Sequence, residues 1–294
     1  MFRASLFPAR TPKARADQIL TVLLVGTTAL AAGLVLWILF FVGREALSAL
    51  LHVGPGRFIT DSSWHPVNGL FRMTPMVAAT LAITIGSILI AGPLGLAGGV
   101  YLRFFAGRRT GTAFRRLVEL LAGIPSVIYG LWGLTTLVPW LAQIQAPGMG
   151  LAAACFILSI MILPTVTLTT DTALGSVEPR WLEGAAALGL DRTGTALFVA
   201  VPAARGGIAA GWILATARAL GETMAVLMVA GNVVRMPSGL FESIRPLTAN
   251  IALEMGYAGS DHRSVLFASG LVLMILVSML VIVGSYLEPE PVDG

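Results

Sequence analysis

From Leu120 to Thr170 the chain carries no charged side chain, and this stretch restricts the fold more than any other. As one helix it would be roughly 75 Å long at about 1.5 Å per residue. That is more than twice the ~30 Å hydrocarbon core of a bilayer, so the stretch has to turn. The polar interval from Gln143 to Gly150, which holds Pro147, Gly148 and Gly150, is where it can do so. One span is therefore expected over Val118–Leu141 and another over Leu151–Thr170. Hydrophobic residues make up 56% of the chain and charged residues only 12%, with a mean hydropathy of +0.85. Those proportions exclude an ordinary soluble domain and predict an all-α, polytopic membrane protein.

Four more spans are legible. Arg3, Arg10, Lys13 and Arg15 precede an uncharged run from Gln18 to Gly43. This run exceeds the ~7–15-residue core of a signal peptide and no A-x-A site follows closely, so residues 1–17 are expected to be a tail before a retained first span. The second runs from Met73 to Leu102, with Pro93 to kink it and glycines that permit close helix contact. The fifth is expected over Gly206–Gly231 and the sixth over Val265–Leu287, with 288–294 as an acidic tail. Residues 18–287 thus read as one unit of six transmembrane helices with both termini on one side. The tails and the second and fourth connectors hold twelve Lys and Arg, the other connectors six. The positive-inside rule then predicts cytoplasmic termini and a cytoplasmic loop over 171–205. Outside, Trp64 and Phe71 fit interface anchors better than contacts to a soluble partner, and PLTANIALEMG reads as an amphipathic segment of an external loop. The formal charge is +4, but the arginines flank spans without forming one patch, so no nucleic acid is expected.

Chemistry is scarce. Lys13 is the only lysine, so no Gly-Lys-Ser/Thr phosphate loop exists and any ATP-driven step needs another chain. His52, His65 and His262 lack metal-ligand spacing, and Cys155 stands alone in an apolar run. No enzyme active site, cofactor or metal is expected in this chain.

Two features remain. In the loop over 171–205, Pro179 suits a first helical turn and Leu182, Ala185, Ala186 and Leu188 form an apolar face. Gly189 can take the left-handed turn that ends this helix, and Asp191 can cap a second one toward Val201 and Pro202. The small side chains at 185–187 suit a docking element; the spacing alone also fits a plain amphipathic connector. In the fifth span, Arg218 and Glu222 stand four residues apart, the distance at which helical side chains pair. Arg218 falls near mid-membrane, an expensive position for a charge, so the pair is expected to face the bundle interior as a substrate pathway or as a structural ion pair. A guanidinium there suits an oxyanion, which it can hold through two parallel hydrogen bonds.

The order Glu183, Gly184, Ala185, three residues, Gly189, nine residues, then Val199, Ala200, Val201 and Pro202 resembles the cytoplasmic loop of permease subunits of binding-protein-dependent ABC importers. Gly184 departs from that pattern where Ala is usual, a change that weakens a helix by roughly 1 kcal/mol. In that family the loop enters a cleft of the ATPase. The resemblance therefore implies a coupling role for Glu183, Gly184, Ala185, Gly189, Val199, Val201 and Pro202. PSVIYGLWGL, MILPT, RALGETMAVLMVAGN and LTANIALEMGYA further resemble the permease components of the phosphate-specific importer, PstC more than PstA. This implies a type I ABC importer permease in the bacterial inner membrane. It also implies a PstA-like second permease, two PstB-like ATPase subunits carrying ATP-Mg, and a PstS-like binding protein that delivers inorganic phosphate. Two other readings stay open: an ABC permease for sulfate or molybdate, and an ion-coupled secondary anion transporter that uses Arg218 and Glu222 without an ATPase.

Overall fold

The computed structural model describes residues 12–287; of the expected tail over 1–17, residues 1–11 lie outside the described residues and 12–17 already belong to the first helix, and the expected tail over 288–294 lies outside as well. A long helix, α1 (Pro12–His52), leads to a one-turn helix, α2 (Arg57–Thr60). A small hairpin follows, in which β1 (Trp64–His65) pairs antiparallel with β2 (Leu70–Phe71). Next come α3 (Thr74–Val100), a π-helical turn over Tyr101–Phe105, and α4 (Arg108–Gly123). α5 (Ser126–Trp132) and α6 (Val138–Ala142) are joined by a π turn over Gly133–Leu137 and lead to α7 (Leu151–Gly175). The loop between the fourth and fifth spans holds α8 (Pro179–Ala187), α9 (Arg192–Gly194), a π turn over Thr195–Ala200 and α10 (Val201–Ala203). α11 (Arg205–Gly221), α12 (Met224–Val229), α13 (Leu247–Glu254) and α14 (Ser260–Leu287) complete the described chain.

Four helices are long and apolar enough to cross a bilayer by themselves: α1 from Asp17, α3 with its π turn, α7, and α14 to Gly284. Two bent pairs bring the number up to six if each contributes one span. The six-span architecture is thus met, but the third and fifth spans are not straight. The expected helix over Val118–Leu141 breaks at Ile124, where α4 and the α5–α6 segment meet at 93°. Pro125 is the cause, since its ring drives the preceding residue out of the helical region and Ile124 takes φ −70°, ψ 128°. α4 is not a half-span. Its four arginines would each cost about 2.5–3.5 kcal/mol at the bilayer centre. The fourth span is longer than expected: α7 runs on past Thr170, so Asp171, assigned to the loop, is a buried helical residue ion-paired with Arg115 of α4.

α7 is the centre of the bundle, packed by α3, α4, α11 and α12. Its backbone comes close to that of α3 because small residues line the seam. A Cβ on Gly95 would lie 2.7 Å from Cβ of Val166, and one on Gly99 2.5 Å from Cγ2 of Thr170. Ile83, Ile157, Leu158, Met161, Ile162 and Val226 fill the main core. A second cluster joins Trp64, Phe71, Met76, Leu247 and Leu266 at the hairpin end, and a third joins Val100, Leu174, Ala196, Ala200 and Ile208 at the opposite end. Trp64 and Phe71 are therefore core residues, 6% and 4% exposed, and not the interface anchors expected. The PLTANIALEMG segment is likewise folded inward: α13 buries Leu247, Thr248, Ala249, Asn250 and Glu254. The apolar window of α1 has no buried residue, and Phe41 meets Phe267 of α14 edge to face at 5.6 Å. Its leucines suit lipid, where exposure of apolar surface carries no penalty.

Candidate functional site

The segment that carries the coupling pattern is a compact hairpin of helices. Pro179 opens α8, where the missing N–H costs nothing. Gly189 takes φ +82° and ends the helix in a Schellman motif: its N–H donates to Ala186 O at 3.0 Å, and Leu190 N–H to Ala185 O at 3.1 Å. Asp191 then caps the next turn, its Oδ1 accepting from Gly194 N–H at 2.7 Å. Ala185 turns inward and Leu182 is half-buried, whereas Glu183, Gly184, Ala186 and Gly189 are exposed. Leu188 does not join the inward face as expected; it is 83% exposed because the helix has already ended at Ala187. With Trp181, 55% exposed, it forms an apolar outer surface on the segment. Val199 and Val201 are half-buried and Pro202 is exposed. Ala196 and Ala200 pack in the cluster with Leu174 and Ile208, and a 71° bend leads into α11. The segment after α8 is thereby packed against both α7 and α11.

Arg218 and Glu222 do not pair. α11 ends at Gly221, and Glu222 has φ −68°, ψ 129°, so the two side chains are not on one continuous helix. Glu222 instead serves the break. Its Oε1 accepts from Ala225 N–H at 3.1 Å, satisfying an orphan donor of α12, and its carbonyl accepts from Thr248 Oγ1 at 2.8 Å. Thr80 of α3 fixes the same region by accepting from Leu247 N–H at 3.0 Å. Arg218 is exposed on the last turn of α11 and makes no hydrogen bond or ion pair among the described residues. An unpaired guanidinium on a membrane-spanning bundle is therefore open to an anion.

At the hairpin end lies a cleft of about 890 Å³ that the residue patterns did not announce. Glu254 is its hub. Arg245 Nη1 donates to Glu254 Oε1 at 2.7 Å, while Trp64 Nε1 at 2.9 Å and His262 Nε2 at 2.8 Å meet Oε2. Arg245 also donates from Nε to Asn232 O and from Nη1 to Asn250 Oδ1. Hairpin, α13 and α14 are thus tied through one carboxylate. The only hint in the sequence was a Glu inside an apolar segment. Among the described residues no group of His, Cys, Asp and Glu is arranged to hold a metal.

Residues 91–290 match the model of the binding-protein-dependent transport system inner membrane component family. The chain is 38% identical to the probable ABC transporter permease protein YqgH of Bacillus subtilis over 85% of this chain and 84% of that protein. It is 34% identical to the phosphate transport system permease protein PstC of Mesorhizobium japonicum over 96% and 89%. Among solved structures, a bacterial ABC transporter for alginate import, in complex with its pentasaccharide-bound periplasmic protein, superposes with a TM-score of 0.63 at 16% identity, covering 92% of this chain and 95% of that one. An inward-facing form of the MetNI methionine ABC transporter gives 0.59 at 22% identity over 76% and 96%.

Proposed function

Given that this chain belongs to the binding-protein-dependent transport system inner membrane component family, a family of ABC importer permeases, we propose that it passes inorganic phosphate across the bacterial inner membrane. The observation that carries the proposal is Arg218, a charge on α11 with no carboxylate partner among the described residues, in a chain 34% identical to a phosphate permease. A guanidinium offers a tetrahedral oxyanion two parallel donors, stronger than neutral hydrogen bonds. With no carboxylate paired to it among the described residues, the guanidinium is neutralised by phosphate, and α12, capped by Glu222, follows directly on the same chain.

The energy comes from outside the chain. A PstB-like pair of ATPases would bind ATP-Mg and close, pressing on α8 through Trp181, Leu188 and the exposed Glu183–Gly184 edge. The Schellman turn and the Asp191 cap make α8 and α9 move as one body, and the alanine contacts of the following π turn carry that movement to α7 and α11. Arg218 then faces alternately the two sides of the membrane. A PstA-like second permease would complete the path along the exposed faces of α5 and α11, and a PstS-like binding protein would deliver phosphate at the hairpin end, with both termini of this chain in the cytoplasm.

The test is uptake of labelled phosphate by the complex reconstituted with binding protein and ATP, in competition with sulfate and molybdate. Phosphate alone should compete. Equal inhibition by sulfate would move the assignment to a broader oxyanion carrier, and uptake without an ATP-hydrolysing subunit would end it.

A further inference from the structure

α4 takes no part in the transport reading, and its surface divides into three sectors. Phe114 and Val118 turn to the bundle, Phe114 meeting Tyr101 edge to face at 5.8 Å. Arg115 is committed to Asp171 of α7. The remaining sector is uncovered: Arg109, Ala113, Arg116, Leu117 and Leu120 are exposed, Leu117 at 59% and Leu120 at 68%. At 3.6 residues per turn Arg109, Arg116 and Leu120 share one face, with Leu117 and Ala113 on its flank. Because the chain turns by 93° between α4 and the α5–α6 segment, α4 lies along the membrane surface when α5–α6 crosses it. It sits at the end of the bundle that carries the coupling segment, where α9 packs on the Tyr101–Phe105 turn.

We infer that α4 is an interfacial helix that binds anionic phospholipid, with Arg108, Arg109 and Arg116 on the headgroup phosphates and Leu117 and Leu120 in the acyl boundary. Charge complementarity selects this occupant. Arg103, Arg108, Arg109 and Arg116 are exposed and have no ion pair among the described residues, against the single acid Glu119 on the same helix. Leucines set beside arginines on one uncovered face form the basic–apolar boundary of a helix lying in the plane of an interface, where the arginine stems add to the apolar surface. A soluble subunit covering the same face would have to bury Leu120 together with uncompensated arginines. The inference rests on the assignment of α5–α6 as a span and not on phosphate as substrate.

Two measurements on the assembled complex test it, and neither uses transport. In the first, Leu120→Cys in a Cys155→Ser background is spin-labelled in nanodiscs of phosphatidylcholine or an equal mixture with phosphatidylglycerol. The label should collide with oxygen and be shielded from a water-soluble nickel chelate. Access to nickel, or shielding from both by a partner subunit, overturns the inference. In the second, native mass spectrometry counts retained phosphatidylglycerol. An arginine beside an anionic surface contributes about a fivefold preference, so Arg116→Gln alone should lower retention up to about fivefold. Arg108→Gln/Arg109→Gln/Arg116→Gln should lower it further, and Glu119→Gln should not lower it. Unchanged retention in an assembled triple variant rejects the basic face as the lipid site.

Discussion

The carboxylate of Glu222 accepts from Ala225 N–H at 3.1 Å, a bond that a neutral amide oxygen can replace. Glu222→Gln should therefore keep most transport, whereas Glu222→Ala should lower thermal stability of the detergent-solubilised complex by about 1 kcal/mol, the usual cost of a lost cap. Equal damage from both would mean that the charge itself matters. Arg218 differs, because a hydrogen bond from a charged group is worth about 1.5–3 kcal/mol. Arg218→Gln should lower phosphate uptake about ten- to a hundredfold with assembly intact, and Arg218→Lys should also be impaired, since a point charge cannot reproduce the planar donor fork. Adding Glu222→Gln should not rescue Arg218→Gln, as the two side chains share no ion pair; rescue in uptake assays would restore the pair and displace the pathway role. Glu254 shows the opposite arrangement, a carboxylate met by Arg245, Trp64 and His262, which ties three elements together.

At the scale of the element, the coupling hairpin contains two glycines with different needs. Gly189 holds φ +82°, where a side chain costs roughly 1–2 kcal/mol, so Gly189→Val should distort the Schellman turn and uncouple ATP hydrolysis from uptake while the spans stay inserted. Gly184 is helical and a Cβ there would meet nothing within 4 Å. Gly184→Ala should therefore stabilise α8 by up to about 1 kcal/mol and leave uptake unchanged; parallel measurements of ATPase activity and uptake on the two variants separate the outcomes. Both glycines stand in one short motif, and only Gly189 carries a positive φ. The signals at this scale were local: Pro179 at a first turn, Asp191 before a helix, Gly189 after one. They were legible because caps and left-handed turns depend on a few neighbouring residues. The break at Ile124 was marked just as locally by Pro125, but the apolar run that continues through it masked the signal.

For the whole molecule, sidedness is the property on which every transport argument depends. Cysteines introduced singly in a Cys155→Ser background provide a direct measure. Ala187→Cys, on the exposed coupling hairpin, should react with an impermeant maleimide only from the cytoplasmic side. Val67→Cys, at a hairpin position that is fully exposed, should react only from outside. Reversal of both would invert the molecule, and reaction of both from one side would reject an odd number of crossings between them. The bundle owes its compactness to the α3–α7 seam, where Gly95 and Gly99 let two backbones approach within reach of Val166 and Thr170, and lipid is free to cover the leucines of α1.

The class of the protein, its six-span plan and the helix–turn–helix form of the 179–203 segment follow from the sequence by itself. Long uncharged runs can only be satisfied as membrane helices, and the motif is read from consecutive residues. Where a charged residue points is another matter. Asp171, Glu222 and Glu254 each sit in or beside an apolar segment, and nothing local tells one from another. Arg115 reaches Asp171 across 56 positions, Thr248 meets the Glu222 carbonyl across 26, and Trp64 meets Glu254 across 190. Such partners are set by how α4, α13 and the hairpin pack on the bundle. Only the tertiary structure decides which carboxylate is paired, which caps a helix, and that Arg218 has no carboxylate partner among the described residues.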